Sequence, residues 1–354
     1  MATPALESFC CMFNCTSSNE LDVSYEIEPT DKIFGLTKDG LRAYNIICII
    51  SSLLGIGGAT YQLWPRPGLV PSRGQREITT YVRQRSIICY LALADLFAAI
   101  GIMIRSTLWI SGFIPLEDVQ RNGNSDFAHI FCSISTGLVQ YFFICTYCWT
   151  FCYALDTYLL SMNKKGYPML YHMISWVVSA VICGTGLVFL YYPNLLFCVH
   201  SLKNLLPHYL VTYIPILLFM ILNPFLYSKA STAVEESLRS GGLYTNVERL
   251  ILTNLKKKFL FVVLVFYFCW LPNVLNGVLL IFKRHIPSYV YLALWQYMAV
   301  VNPVQALLNC LVYRNTGCCM PTRPSDRNPD SLQAVQDYSL EASNETSHLL
   351  VYRR

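Results

Sequence analysis

The chain has 354 residues, of which 54% are hydrophobic and only 13% are charged, with a formal net charge of +5. Because an average soluble domain is about 25% charged, this composition excludes an ordinary soluble protein and favours a membrane protein. The slight basic excess gives no indication of nucleic-acid binding. The 15 Cys lie mostly inside apolar runs, where a thiol behaves as a small hydrophobic group, so a disulfide-rich secreted scaffold is also excluded.

The N-terminal residues 1–42 form a polar, acidic segment without the basic start and apolar core of a signal peptide. We therefore expect the first membrane helix to direct insertion and this segment to be an extracellular or lumenal tail. Asn14 begins an Asn-Cys-Thr triplet, which is an N-glycosylation acceptor. Whether Cys10, Cys11 and Cys15 form disulfides stays open at this stage.

Seven windows of the chain are long and apolar enough to cross a membrane, since a spanning helix needs about 20 such residues. We call them spans 1 to 7, and they cover 43–64, 86–110, 131–160, 171–191, 208–228, 259–282 and 289–313. A lone strand in lipid would leave its backbone groups unpaired, so each window is predicted to be a helix. The sequence therefore predicts an all-α seven-helix membrane bundle over residues 43–313, followed by a C-terminal tail, 314–354.

The basic residues give the bundle a direction. Lys and Arg are concentrated in the connections after spans 1, 3 and 5, and the last of these ends in Lys256, Lys257 and Lys258. Short basic connections stay on the cytosolic side of a membrane. We therefore expect the N-terminus to lie outside the cell or in an organelle lumen, and the C-terminal tail to lie in the cytosol.

Three charged residues lie within the spans, where each is costly and is a functional hypothesis by default. Asp95, near the middle of span 2, is either a polar plug bonded to Asn302 or a sodium or proton site that tunes conformation. Arg105 lies about 15 Å nearer the outer surface by helical rise. Its guanidinium either reaches the membrane interface or faces the bundle and holds a ligand carboxylate. Asp156, at the inner end of span 3, is the third.

The sequence resembles the rhodopsin-like receptor superfamily in outline and, more closely, the ocular albinism type 1 receptor family. The stretches that carry this resemblance are 102–109, 151–159, 190–193, 207–209, 269–271, 302–303 and 9–11. The resemblance implies a rhodopsin-like receptor architecture. It also implies a disulfide between Cys132, at the start of span 3, and Cys198, in the outer loop between spans 4 and 5.

Two receptor switches are incomplete when read against the superfamily. Asp156, Thr157 and Tyr158 stand where the resemblance places an Asp-Arg-Tyr switch, so the arginine is missing. We expect Asp156 to pair with Lys164 or Lys165, or to stay hydrated. In span 7 the receptor motif Asn-Pro-x-x-Tyr is read as Asn302 and Pro303 without its tyrosine, and in span 6 Trp270 precedes the helix-kinking Pro272.

The resemblance implies a receptor for L-DOPA, and for tyrosine or dopamine, that signals through heterotrimeric G proteins in pigment cells. Receptors for plain amines place an Asp where this chain has Val139, so a plain amine lacks its usual anchor. An amino acid can use Arg105 for its carboxylate. The candidate ligand contacts are Arg105, Gln140, Tyr141, Asn273, Asn276 and Gln296. The basic third inner loop is the expected contact for a G protein or arrestin.

The cytosolic tail carries two kinds of signal. Glu345 followed by Leu349 and Leu350 fits the pattern that sorting adaptors read as an address to endosomes and lysosomes. The family resemblance implies residence in melanosomes and late endosomes or lysosomes, with a part at the plasma membrane. Cys318 and Cys319, just beyond span 7, are candidate palmitoylation sites.

Two rival interpretations come from other classes of protein. A transporter would show inverted repeats or broken helices, which the sequence lacks. An intramembrane enzyme would need a paired catalytic set, but Asp95 and Asp156 lie on different spans at different depths. A non-signalling organelle scaffold remains the other alternative to a receptor.

Overall fold

The computed structural model describes residues 32–33, 36–64, 75–112, 126–191, 202–240, 246–281 and 287–314. Several sequence-based predictions lie outside these residues, namely those on Asn14, Cys198, Cys318, Cys319, Glu345, Leu349 and Leu350. Cys132 lies on a described helix, but its side chain is outside the described part, so the Cys132–Cys198 disulfide stays a prediction.

The described residues contain seven long helical stretches, and each coincides with one predicted window. The helices are Lys38–Leu63 for span 1, Gln75–Ile110 for span 2, Asp126–Ser161 for span 3, Leu202–Ser240 for span 5, Asn246–Ile281 for span 6 and Ser288–Arg314 for span 7. Span 4 is built from Pro168–His172, a π-helical segment Met173–Val178, and Ser179–Tyr191. Before span 1, strands Lys32–Ile33 and Leu36–Thr37 pair as a two-residue antiparallel ladder. The prediction of an all-helical membrane bundle is confirmed.

Six of these helices, spans 1 to 6, are long and apolar enough to cross a membrane on their own composition. Span 7 has sufficient length, but its apolar residues are interrupted by Asn302, Gln305 and Asn309. All three side chains are buried inside the protein. The polar character of span 7 is therefore directed into the bundle, as expected for a helix whose partners are other helices.

Span 3 runs through the centre of the bundle. Its most apolar stretch is 72% buried, whereas that of span 4 is only 22% buried and lies at the periphery. Trp149 and Tyr153 of span 3 are fully enclosed by neighbouring spans, whereas large apolar side chains such as Ile221 and Leu260 cover the outer surface. The apolar exterior is the surface that lipid requires. The enclosed Trp149 and Tyr153 place the inner end of span 3 among the other spans.

Span 1 packs unusually closely against span 7 at Gly58. A Cβ atom at this position would overlap Leu307 Cα and lie only 2.8 Å from the Leu307 backbone nitrogen. Backbone cannot move aside as a flexible side chain can, so only glycine fits. Small residues that allow two helix backbones to approach are a usual device of membrane bundles.

We expect Gly58→Ala to destabilise the bundle by about 1–3 kcal/mol, because the added methyl group forces spans 1 and 7 apart. Gly57→Ala is the matched control, since nothing lies within 4 Å of a Cβ atom at Gly57. Thermal unfolding of the detergent-solubilised protein measures both variants. Equal melting temperatures for the two would contradict the close packing of spans 1 and 7.

Candidate functional site

Asp95 is the centre of a polar junction among spans 2, 3 and 7. Thr146 Oγ1 donates to Asp95 Oδ1 at 2.8 Å, and Asn309 Nδ2 donates to Asp95 Oδ2 at 2.8 Å. The expectation that Asn302 is the partner of Asp95 is wrong. Asn302 lies about two helical turns farther outward than Asn309, and it pairs instead with Asn273 of span 6. Asp95 therefore couples three spans through one buried carboxylate.

Spans 6 and 7 are joined by two further polar contacts. Asn273 and Asn302 form a reciprocal amide pair, with nitrogen-to-oxygen distances of 2.9 Å and 3.3 Å. Nearer the outer surface, Trp295 Nε1 donates to Asn276 Oδ1 at 2.9 Å. Asn273 and Asn276 were both predicted as ligand contacts. In the structure their side chains form hydrogen bonds that hold span 7 against span 6.

Trp270 is fully buried and lies about one helical turn nearer the cytosolic end of span 6 than Asn273. Phe143 and Tyr147 of span 3 meet its ring edge-on, with centroid distances of 5.5 Å and 5.4 Å. Its indole Nε1 has no hydrogen-bond partner among the described residues. Pro272 lies elsewhere: it lines an apolar groove of about 530 Å³ on the outer face of spans 6 and 7, beside Tyr297. Trp270 is therefore placed to respond to movement of span 3, whereas Pro272 is buried and lines this groove.

Arg105 faces the interior of the bundle, so the alternative in which it reaches the membrane interface is wrong. Its side chain is only 6% exposed, and it lies near enough to Tyr44 and Cys48 of span 1 to act on both electrostatically. Guanidinium Nη1 has no hydrogen-bond partner among the described residues, and no carboxylate there contacts it. The structure thus holds a buried cation that an anionic group would stabilise.

The remaining ligand candidates are not gathered around Arg105. Gln140 Nε2 donates to Thr212 of span 5 at 3.3 Å, and its Oε1 has no partner among the described residues. Tyr141 points the other way, because neighbouring helical residues differ by about 100° in direction. Its hydroxyl donates to the Trp176 carbonyl of span 4 at 3.5 Å. Tyr141 thus faces span 4, and its role as a ligand contact stays a prediction. Gln296 is half-buried on span 7.

Asp156 has a partner that the sequence analysis did not identify. Arg83 Nε of span 2 donates to Asp156 Oδ1 at 2.8 Å, and the Tyr171 hydroxyl of span 4 donates to the same oxygen at 2.9 Å. The expected partners Lys164 and Lys165 are wrong, since both side chains are exposed in the loop after span 3. The lysines of that loop point away from the bundle, whereas Arg83 reaches into the bundle beside Asp156. The acid is paired and does not stay hydrated.

The residues next to Asp156 have different environments. Thr157 is buried, and its hydroxyl has no partner among the described residues, whereas Tyr158 is half-buried. Threonine is too short and uncharged to replace the missing arginine. The cation that compensates Asp156 must therefore come from another span.

Sequence reasoning also missed Asn309 and Tyr313. They are four residues apart, which is the separation of the first and last residues of the motif Asn-Pro-x-x-Tyr. Asn309 contacts Asp95, and the buried Tyr313 packs edge-on against Tyr153 of span 3 at 5.0 Å. The asparagine–tyrosine spacing was visible in the sequence, but the search for a proline led to Asn302 and Pro303 instead.

Comparison with known proteins places the whole chain in one family. The family described as ocular albinism type 1 protein matches residues 1–347. The human protein G-protein coupled receptor 143 is 31% identical over 336 residues, which cover 90% of this chain and 79% of that relative.

We expect Asn309→Ala to destabilise the protein by about 1–3 kcal/mol, because it removes a hydrogen-bond donor from a buried carboxylate. In an Asp95→Asn background the same substitution should cost less, since no charge is left unsatisfied. Thermal unfolding of the two single variants and the double variant measures the coupling. A cost that is equal in both backgrounds would show that Asn309 and Asp95 do not depend on each other.

Proposed function

The chain belongs to the ocular albinism type 1 protein family, and we propose that this G protein-coupled receptor responds to L-DOPA or a related tyrosine metabolite. It signals through heterotrimeric G proteins from the membrane of melanosomes and lysosomes, where it controls melanosome biogenesis and transport. The family consists of receptors, so the chain is not an enzyme.

The observation that carries the ligand proposal is the buried Arg105, whose guanidinium Nη1 has no hydrogen-bond partner among the described residues. Leaving a charge without a partner inside a protein costs several kcal/mol. An amino-acid ligand brings a carboxylate, which a planar guanidinium can bind through two parallel hydrogen bonds. The ligand would thus compensate the cost of burying this charge. Dopamine has no carboxylate and gains nothing from Arg105.

Val139 supports an amino acid over a plain amine. Its side chain is buried and apolar at the position where amine receptors carry their acid. The Oε1 of Gln140, the residue after Val139, has no partner among the described residues and is an acceptor for a donor group of the ligand that lies away from its carboxylate. Asn276 and Gln296 are the remaining polar candidates for the ligand's hydroxyl groups.

We expect Arg105→Gln to lower the potency of L-DOPA by about 10- to 100-fold, because a charge-assisted hydrogen bond to a carboxylate contributes about 1.5–3 kcal/mol. Second-messenger release is measured in cells that carry a surface-retained form of the receptor. The methyl ester of L-DOPA, which has no free carboxylate, should be weak at the wild type and unaffected by the substitution.

The matched control is Arg85→Gln, which removes a half-buried arginine at the inner end of the same span. It should leave the L-DOPA response unchanged. An unaltered potency of L-DOPA at Arg105→Gln would remove Arg105 from the ligand site. No response of the wild type to L-DOPA, tyrosine or dopamine would favour the scaffold alternative.

A sodium ion near Asp95 belongs to the same proposal. The Asp95 carboxylate and the Thr146 hydroxyl are oxygen ligands of the kind that a hard cation prefers, and they lie 2.8 Å apart. Both carboxylate oxygens already accept hydrogen bonds, so the ion would compete with Asn309 or join it. Bound there, it would supply charge compensation at the junction of spans 2, 3 and 7.

The cytosolic ends of spans 5 and 6 are the proposed contact for the G protein and for arrestin. Lys256 Nζ of span 6 pairs with Glu235 Oε2 of span 5 at 3.0 Å, and this pair is largely exposed. The next basic residue, Lys257, is also exposed, whereas Lys258 is buried. A basic rim beside an anionic leaflet first fixes the topology and then offers charge to a partner.

The proposal also includes covalent modifications of the two tails and of the outer loop. Asn14 receives a glycan on the outer or lumenal side, and Cys132 and Cys198 form the disulfide that holds the outer loop over the ligand site. Cys318 and Cys319 receive palmitoyl groups that bring the start of the cytosolic tail to the membrane. None of these sites conflicts with the direction given by the basic connections.

We expect Leu349→Ala with Leu350→Ala to move the receptor from intracellular organelles to the plasma membrane. A sorting adaptor binds the leucine pair in an apolar slot and Glu345 on a basic patch, and alanine fills the slot poorly. Microscopy of a tagged receptor measures the surface fraction. The matched control is Leu340→Ala, a leucine of the same tail outside the motif.

A distribution that stays organellar after the leucine substitutions would exclude this signal as the address. A shift produced equally by Leu340→Ala would also exclude it, because the effect would then be general to the tail.

A further inference from the structure

The inner end of the bundle contains an acid–base pair that joins two spans instead of lying within one. Arg83 Nε of span 2 and Asp156 Oδ1 of span 3 are 2.8 Å apart, and the Asp156 side chain is 0% exposed while that of Arg83 is 19% exposed. A carboxylate at this depth requires a cation. The residue next to it, Thr157, cannot provide one.

Two other segments close around this pair. Tyr171 of span 4 donates its hydroxyl to Asp156 Oδ1 at 2.9 Å. Gly166, in the loop between spans 3 and 4, lies so close that a Cβ atom there would overlap Asp156 Oδ1 and lie 2.6 Å from Arg83 Nε. Spans 2, 3 and 4 and the loop therefore converge on one carboxylate oxygen.

We propose that Arg83 replaces, from span 2, the arginine that span 3 lacks, and that Arg83, Asp156, Tyr171 and Gly166 form a permanent inner clamp. The inner clamp holds the loop between spans 3 and 4 in one position and is not a contact that the ligand opens. Arg83 is thus a positioning residue that acts through Asp156.

The loop that the inner clamp would hold is short and ordered by backbone contacts. The Asn163 and Lys164 amides donate to the Leu160 and Leu159 carbonyls, each at 2.9 Å. Asn163 adopts a φ of 56°, in the left-handed region where Asn is one of the more tolerant residues. The loop thus turns away from span 3 at Asn163 and returns to the inner clamp at Gly166. Its two lysines, Lys164 and Lys165, are exposed.

The permanence of the inner clamp follows from a second link between the same two spans. Thr146 of span 3 bonds Asp95 of span 2, and this contact lies about 15–18 Å farther into the membrane than the Arg83–Asp156 pair. Opening the inner clamp by separating the spans would require both links to break or one span to bend. An arginine next to its acid on one helix, by contrast, needs only to rotate its side chain.

The geometry also separates the inner clamp from the contacts between spans 5 and 6. Lys256 and Glu235 join those two spans to each other, whereas Arg83 and Asp156 join spans 2 and 3. Within the described residues, the inner clamp has no member on spans 5, 6 or 7. Movement of spans 5 and 6 on the cytosolic side can therefore leave the inner clamp intact.

The first test measures how firmly the loop is held. Lys164 and Lys165 are exposed trypsin sites in this loop. In the detergent-solubilised full-length receptor, Arg83→Gln and Asp156→Asn should each raise the rate of cleavage there about tenfold, because breaking a buried ion pair favours local opening. Arg85→Gln, two residues from Arg83 but bonded to the Trp64 carbonyl at 3.3 Å, should not raise it. Mass spectrometry identifies the cleaved bond.

The second variant set keeps the test valid where a single substitution folds poorly. Arg83→Gln with Asp156→Asn together leaves a neutral hydrogen-bonding pair, and its cleavage rate should be no higher than that of the faster single variant. A loop cleaved equally fast in the wild type, in Arg83→Gln and in Arg85→Gln would overturn the inner clamp. Independent, additive effects of the two substitutions would also overturn it.

The last readout separates a permanent clamp from a lock that the ligand opens, and it rests on the proposed signalling function. Ligand-free second-messenger levels should be the same for Arg83→Gln and the wild type at equal surface expression. A rise would overturn the proposal, because it would mean that the pair restrains the active state. If the wild type gives no response to any ligand, the proposed function fails while the cleavage rates still decide whether the inner clamp exists.

Discussion

Hydrogen bonding inside the bundle constrains this protein more than any other interaction, because lipid offers no partner to a polar side chain. The junction at Asp95 shows the consequence most clearly. One carboxylate accepts from Thr146 and from Asn309, and so fixes the relative depth of spans 2, 3 and 7. The other polar contacts between spans follow the same rule. Each joins two helices at one depth, so their positions along the membrane normal are set by a few named pairs.

Arg105 is an exception to this rule, because its buried Nη1 has no hydrogen-bond partner among the described residues. It acts electrostatically on Tyr44 and Cys48 of span 1, and neither is a carboxylate. Asp156, at the opposite end of the bundle, is equally buried, but its Oδ1 accepts from a cation and from a hydroxyl group. The bundle thus compensates its inner charge internally, whereas the outer guanidinium keeps one nitrogen without a partner among the described residues, which is the basis of the ligand proposal. This asymmetry agrees with a receptor whose ligand enters from the outer or lumenal side.

The sequence predicted the helices well and their mutual contacts poorly. Apolar length and the position of charges are local properties, so all seven windows and the buried positions of Asp95 and Asp156 could be read directly. Which residue faces Asp95 depends on the vertical offset of span 7 against span 2, and no local pattern encodes that offset. Asn302 and Asn309 are equivalent in sequence terms, and only packing distinguishes them. Arg83 escaped notice for the same reason, since its basic segment first suggested topology rather than a contact.

The buried polar side chains of span 7 have a consequence for biosynthesis. Asn302 and Asn309 bond to Asn273 of span 6 and Asp95 of span 2, so this helix meets its partners only in the assembled bundle. As it emerges last from the ribosome among the seven helices, it must enter a membrane that already contains the other six. Its residence in lipid is therefore conditional on their correct arrangement. A fault in span 2 or span 6 would first appear as a failure of span 7 to integrate, which a cell's quality control would detect before the receptor leaves the endoplasmic reticulum.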